Sequence, residues 1–356
     1  MLDSLHRRPR GRAVAPILSR LTGGRVPTEP EPPPPPRTQP EAILDALRAY
    51  EPPVYADSLG APSRALLARL DGDDVAEVRR RLTPELDAIY GDATPAMRER
   101  LKLILGVHFG VEPVLAKTGL RTDMPPDDVH AMARGPLAAG GDFWMADLIA
   151  GALERAGLAL ADGARVLDFG CSSGRHLRVL QAWRPQVRWM GCDPNAAAVR
   201  WAGEHLPGIE FFHSSQEPPL ALDAGALDAA FAVSVWSHFG PEAATRWLEE
   251  MRRAIRPGGA LVLTVQGIPS LAHYLRIGTI DEPYAVAAVR SLLARGHHWV
   301  EAFGAGGDWG VESTQWGTAF MLLDWLTRRT LPGWSTVVFE PARVETNQDL
   351  LVLRRN

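Results

Sequence analysis

Apolar and polar positions change rhythm twice along the chain. From residue 41 to about 135, apolar residues recur three or four positions apart, as in Ile43, Leu44, Leu47 and Tyr50 and again in Met97, Leu101, Ile104 and Leu105. That spacing lines up one face of a helix. Prolines and glycines cut the pattern into short pieces, so residues 41–139 read as a small helical extension, packed on the main domain as a cap or serving as a dimer surface. After Gly140 and Gly141 one further amphipathic helix follows, with Phe143, Trp144, Leu148, Ile149 and Leu153 on its apolar face. From there, short and almost continuous apolar runs (165–170, 187–192, 209–214, 227–235 and 260–265) alternate with helical patterns. Unbroken apolar runs are what parallel strands covered on both faces require. The alternation predicts an α/β fold with a doubly wound sheet.

One intervening helix can be read closely. Gly240 and Pro241 start it, with proline at the first helical position. Ala244, Trp247, Leu248, Met251 and Ile255 give its buried stripe, and Arg252, Arg253 and Arg256 sit at the end where the helix dipole favours cations. Residues 257–259, Pro-Gly-Gly, then turn into the next strand. Near the C-terminus, 334–340 and 349–355 read as two strands joined by a short turn.

The bulk numbers narrow the function. The chain has 356 residues, 46% of them hydrophobic, enough for one large domain with extensions. Six arginines and one acid lie in residues 1–25, and five consecutive prolines occupy 32–36, so residues 1–40 are expected to be a disordered tail. No apolar run reaches the length of a spanning helix, and no apolar stretch at the start resembles a secretory signal, so a cytoplasmic protein without a membrane partner is expected. A formal charge of -4 gives no footprint for nucleic acid. Cys171 and Cys192, the two cysteines, are not arranged in spaced pairs, which suggests neither a disulfide framework nor a zinc site. They read as small core residues, with direct reactivity of Cys171 as the alternative.

The candidate chemistry centres on VLDFGCSSGRH, residues 166–176. Read literally, residues 170–174 are the GxSxG elbow of a hydrolase nucleophile, and Asp168-Phe169-Gly170 is the metal-binding triplet of kinases. The elbow needs a sheet already built upstream, and the preceding residues read as helices and loops. The kinase reading needs an upstream glycine-rich loop and a strand lysine, neither of which is present. The dinucleotide fingerprint fails too, because Ser172 and Arg175 stand where it requires glycine. What remains is a strand-to-helix turn of the form Asp168, Gly170, Ser172, Gly174. Asp193 ends the second strand 19 residues beyond Gly174, where an acid could accept hydrogen bonds from both hydroxyls of a ribose.

This succession resembles the first motif of class I S-adenosylmethionine-dependent methyltransferases, an acid followed by three alternating glycines, with Ser172 in place of the middle glycine. The resemblance covers about residues 140–355. It implies a doubly wound, seven-stranded Rossmann-like sheet closed by the C-terminal antiparallel hairpin, with the last strand between the fifth and sixth, and S-adenosylmethionine as cofactor. By the same resemblance Asp168, Gly170, Cys171, Ser172, Gly174, Asp193 and Pro194 form the cofactor site with Ser214 and Ser215 at the adenine end and Ser234 after the fourth strand. The acid usual at the end of the third strand is absent from His213-Ser214-Ser215-Gln216. The phrases SVWSHF and NQDLLVL resemble a bacterial subgroup associated with methylation of sugars and secondary metabolites.

Methyl transfer from a sulfonium is an in-line displacement, for which alignment alone contributes roughly 7 to 11 kcal/mol. An oxygen acceptor must also lose its proton, and a general base adds about 10² to 10⁴ in rate. His238, after the fourth strand, is the candidate base; the plain alternative is a histidine that only holds its loop. The stretch 268–330, an insertion beyond the family minimum, carries Trp299, Trp309, Trp316, Trp325, His273, Tyr274, His297 and His298. It is expected to shape the acceptor pocket, although core packing is the commoner fate of any one tryptophan. Adjacent His297 and His298 make a poor ligand pair, and no metal is expected. Residues 140–144 either fold over the cofactor or supply a helix cap from Asp142. The function expected is O-methylation of a small molecule, sugar or glycoconjugate. Nitrogen or carbon methylation and a cofactor-binding partner protein without catalysis are the alternatives, and a homodimer is a possible assembly.

Overall fold

In the computed structural model, residues 38–134, 137–303, 311, 314–330 and 332–356 are described; Trp309 and the first 37 residues lie outside them. Seven strands form one sheet: β1 (Arg165–Phe169), β2 (Arg188–Asp193), β3 (Glu210–His213), β4 (Leu227–Ala232), β5 (Ile255–Val265), β8 (Trp334–Val344) and β9 (Gln348–Arg355). Their order is β3-β2-β1-β4-β5-β9-β8. The first five run parallel, and β9 pairs antiparallel with both β5 and β8, so the last strand does lie between its two expected neighbours. The chain leaves β1 toward β2 and β3 and then crosses to β4 on the other side. Adjacent strands thus depart in opposite directions at β1 and β4, which opens a crevice at their carboxyl ends.

Alternation along the strands feeds two cores. Val166, Trp189, Phe231, Val262 and Val352 face the layer of α7 (Phe143–Arg155) and α8 (Leu177–Trp183). Leu167, Met190, Ala230, Leu263 and Leu351 face α10 (Pro241–Ala254) and α13 (Leu323–Thr330). Asp142 caps α7, its Oδ1 accepting from the Met145 N–H at 2.9 Å. The stripe expected on α10 is buried throughout. Its last member, Ile255, already belongs to β5, and the register shift between Leu227 and Ala229 accommodates the Pro-Gly-Gly turn inside that strand.

Six helices precede α7: α1 (Gln39–Arg48), α2 (Ala61–Leu67), α3 (Gly72–Arg80), α4 (Pro84–Asp92), α5 (Pro95–His108) and α6 (Glu112–Thr118). Leu66 of α2 and Leu103 and Val107 of α5 share the core of α7 and α8. Arg100, 2% exposed, donates to Asp147 Oδ2 at 3.0 Å, to Asp57 Oδ1 at 3.0 Å and to the Ser58 carbonyl at 2.6 Å. Asp147 Oδ1 accepts from the Ser63 N–H at 2.9 Å, so both buried charges are saturated. Between β5 and β8 the chain forms α11 (Ile268–Ile277), α12 (Glu282–Arg295), α13 and a two-stranded sheet of β6 (His297–Val300) and β7 (Thr318–Met321). The helix α1 packs with α11 and α12 around Leu47, Leu271 and Leu292. No helix among the described residues is long and apolar enough to cross a membrane.

Candidate functional site

The turn after β1 reverses direction through three residues in the left-handed region, Gly170 (φ +86°), Ser172 (φ +49°) and Gly174 (φ +79°). Glycine takes this conformation freely, whereas for a residue with a Cβ it costs roughly 1 to 2 kcal/mol. Ser172 is the strained member. Its N–H donates to Asp193 Oδ2 at 2.8 Å, and Asp193 Oδ1 accepts from the Asn195 N–H at 2.8 Å. The carboxylate at the end of β2 therefore holds the turn after β1. Burial pushes its carboxyl above the ordinary range, while these two backbone donors pull it back.

Around this turn lies a cavity of about 750 Å³, within the range of small-molecule sites. Of the residues singled out from the sequence, Gly170, Cys171, Ser172, Asp193, Pro194, Ser214, Ser215, Ser234 and His238 line it. Asp168 and Gly174 do not form part of its wall. Asp168 stands behind it, 1% exposed, with Oδ2 at 3.5 Å from Nδ1 of His176, which does line the cavity. Burial raises the Asp168 carboxyl, and His176 opposes that shift. Cys171 and Cys192 are buried free thiols, both pushed up by burial, so neither is poised as a nucleophile. His213 Nε2 lies 3.0 Å from the Pro194 carbonyl, tying the end of β3 to the turn after β2, and Ser214 and Ser215 follow it in the cavity wall.

Past β4 the chain takes a second left-handed step at Ser234 (φ +62°). A closed ring of hydrogen bonds fixes it. The Ser234 N–H donates to Thr264 Oγ1, Thr264 Oγ1 to Gln348 Oε1, and Gln348 Nε2 back to Ser234 Oγ, each at 2.7 Å. Gln348 comes from the last strand and lines the cavity. His238 follows in the same segment. Its Nδ1 is 2.8 Å from the Gly317 carbonyl, and a carbonyl only accepts, so Nδ1 carries the hydrogen and the neutral ring has its lone pair on Nε2. The stretch 315–319 runs antiparallel to this loop. The Gly317 N–H donates to the His238 carbonyl at 2.8 Å, the Ala319 N–H to the Ser237 carbonyl at 2.7 Å, and Trp299 Nε1 to the His238 carbonyl at 3.1 Å. A Cβ at residue 317 would lie 2.2 Å from the Val300 carbonyl oxygen, so only glycine admits this approach.

Of the aromatic residues expected around the acceptor, Trp316 lines the cavity and stacks on His238 at 4.6 Å and 23°. Trp325 is core, and Trp299 acts through its indole N–H. Burial lowers His297 to about 4. Among the described residues, no group of three or more histidines, cysteines, aspartates or glutamates is placed to hold a metal ion. Asp142 caps α7 and at the same time lines the cavity, with Oδ2 at 2.7 Å from Arg175 Nη2. The helix-cap reading of residues 140–144 is the one observed, with Asp142 also in the cavity wall. Missed from the sequence were His130, Arg175, His176 and Gln348, which also line the cavity. Arg175 and His176 lay inside the motif itself, but His130 and Gln348 carried no local signal.

Asp193 brings a carboxylate to the cavity, the Ser215 hydroxyl donates to the Glu217 carbonyl, and Phe169, Val235 and Phe239 supply apolar wall. Residues 166–259 match the family described as a methyltransferase domain. Among curated proteins, the chain is 35% identical over 104 residues to a trans-aconitate 2-methyltransferase of Azoarcus sp., a stretch covering 29% of this chain and 40% of that protein. It is 26% identical over 154 residues to a tRNA U34 carboxymethyltransferase of Hydrogenovibrio crunogenus, covering 40% of this chain and 44% of that protein. The chain spans less than half the length of these relatives. Among solved structures, an S-adenosylmethionine dependent methyltransferase from Mesorhizobium loti aligns with a TM-score of 0.39 and 16% identity over 58% of this chain and 96% of that one. The matched segment runs from β1 through Asp193 and α10 into the start of β5, and over these residues the chain is similar to a methyltransferase domain.

Proposed function

We propose that the protein transfers a methyl group from S-adenosylmethionine to an oxygen of a small molecule, sugar or glycoconjugate, with His238 as the general base. The observation that carries this reading is the hydrogen bond from His238 Nδ1 to the Gly317 carbonyl, because it leaves Nε2 as the proton acceptor on a ring in the cavity wall. Bound in the cavity, the cofactor supplies an electrophilic methyl group on its sulfonium. The protein's own part is to bind, orient and exclude water. Asp193 accepts from the ribose hydroxyls while keeping its two backbone donors, and the turn from Gly170 to Gly174 brings main chain close to the nucleoside. The ring around Ser234 and Gln348 keeps the loop bearing His238 in place, and Nε2 takes the proton that the acceptor hydroxyl gives up. Trp316, stacked on that imidazole, offers a flat apolar surface suited to a sugar or aromatic ring.

A transfer-RNA acceptor is the second reading, suggested by the carboxymethyltransferase relative. The formal charge of -4 weighs against it, since binding of a polyanion draws on surplus cations. The test has two stages. Calorimetry with S-adenosylhomocysteine should show uptake; none would overturn the cofactor reading. Labelled S-adenosylmethionine is then incubated with a fractionated extract of the native cell, and mass spectrometry identifies what gains a methyl group. A methyl ether or ester supports the proposal, and label on nitrogen, carbon or RNA refutes it.

A further inference from the structure

We infer that His130, carried by the segment before α7 and held by Ser172, is a positioning residue of the cofactor cavity. The inference rests on the methyltransferase reading above and concerns a part of the chain outside residues 166–259, the stretch that matches the family. Ser172 occupies a left-handed position that glycine would fill without strain, so its side chain needs a reason to be there. The structure supplies one. Ser172 Oγ lies 2.9 Å from His130 Nδ1 and 3.4 Å from the His130 carbonyl, while the Ser172 N–H binds Asp193 Oδ2. One residue thus joins the carboxylate expected on the ribose to an imidazole brought in by the segment before α7.

The segment bearing His130 is well anchored. Arg178 of α8, itself 6% exposed, donates to the carbonyls of Asp123 and Ala139. Val129 packs against Trp201 and Leu206 beside β3. Arg134 is held to the carbonyls of Pro125 and Pro126. His130, Met132, Ala133 and Arg134 then line the same cavity as Asp193. A wall fixed at that point keeps the nucleoside against Asp193 and slows its escape. Without the serine hydroxyl, the turn would retain its shape but lose its tie to that wall.

Two effects of opposite sign make the test sharp. Ser172→Gly relieves the strained backbone, so the variant should melt no lower than the wild type. It should nevertheless bind S-adenosylhomocysteine roughly three- to tenfold more weakly, the fold-change of about one hydrogen bond. His130→Ala should lose affinity to the same extent, and the double variant should lose no more than either single one, because both remove one interaction. His130→Asn, which can still meet the serine hydroxyl, should keep most of the affinity. Each binding constant is read by calorimetry and each melting temperature by circular dichroism on the full chain. Wild-type affinity in Ser172→Gly, losses that multiply in the double variant, or an affinity loss matched by a lower melting temperature would each overturn the inference. Absence of binding by the wild type would instead bring down the cofactor reading, and this inference with it.

Discussion

Asp349 offers the most quantitative check on the fold. It lies in β9 opposite Val265, 4% exposed, with Oδ1 accepting from the Ala342 N–H at 2.7 Å. Burial raises its carboxyl to about 7, against an ordinary value near ~3.9. Because the folded value lies above the unfolded one, the folded state holds this proton more tightly. The stabilisation is complete below about pH 4 and is lost as pH climbs through 7. Three units at 1.36 kcal/mol each give roughly 4 kcal/mol as the size of the effect. Asp349→Asn keeps an acceptor for Ala342 and cannot ionise, so its advantage over the wild type should widen by roughly 3 kcal/mol between pH 4.5 and pH 8. Urea unfolding followed by circular dichroism at half-unit pH steps measures that gap. Parallel curves for the two proteins, or a variant weaker at pH 8, would refute the reasoning.

Other expectations follow from the site. His238→Asn retains a donor for the Gly317 carbonyl but no base, so turnover should fall about 10² to 10⁴ with S-adenosylhomocysteine affinity unchanged, as steady-state rates and calorimetry would show; undiminished turnover would reject the base. Asp193→Ala strips the acceptor from two backbone donors, each costing about 1 to 3 kcal/mol if left unpaired, and should abolish measurable uptake of S-adenosylhomocysteine while lowering the melting temperature. Cys171 and Cys192 should resist iodoacetamide in the native protein and both react in guanidinium, with intact-mass spectrometry counting the adducts. Rapid alkylation of Cys171 under native conditions would restore the reactive reading.

The centre of the sheet was legible because its strands are buried on both faces. Val166 and Leu167 serve opposite cores, so the apolar run shows no gap, and Pro241 with the stripe on α10 marked a helix from its first residue. The adjacency of β9 to β5 came from the family resemblance, since residue spacing does not encode which strands pair. The site was legible where its residues cluster in sequence, around 168–176 and at Asp193. It was not where two distant stretches meet by side chain alone. His130 is brought to Ser172 by the anchoring of Arg178 and Val129, and Gln348 reaches Ser234 through strand order, neither of which leaves a periodic trace. The start of β5 was read five residues late, because a Pro-Gly-Gly sequence looks like the end of a helix and here forms a bulge within a strand.

The guanidinium of Arg100 limits how the molecule can be dissected. Replacing it in the full chain, as in Arg100→Met, would leave the buried Asp147 carboxylate without its counter-cation, a loss of about 3 to 5 kcal/mol. That is a large part of the stability of an ordinary domain. A fragment that begins at α7 would instead open Asp147 to water and uncover the apolar face of α7 and α8 that Leu66, Leu103 and Val107 now bury.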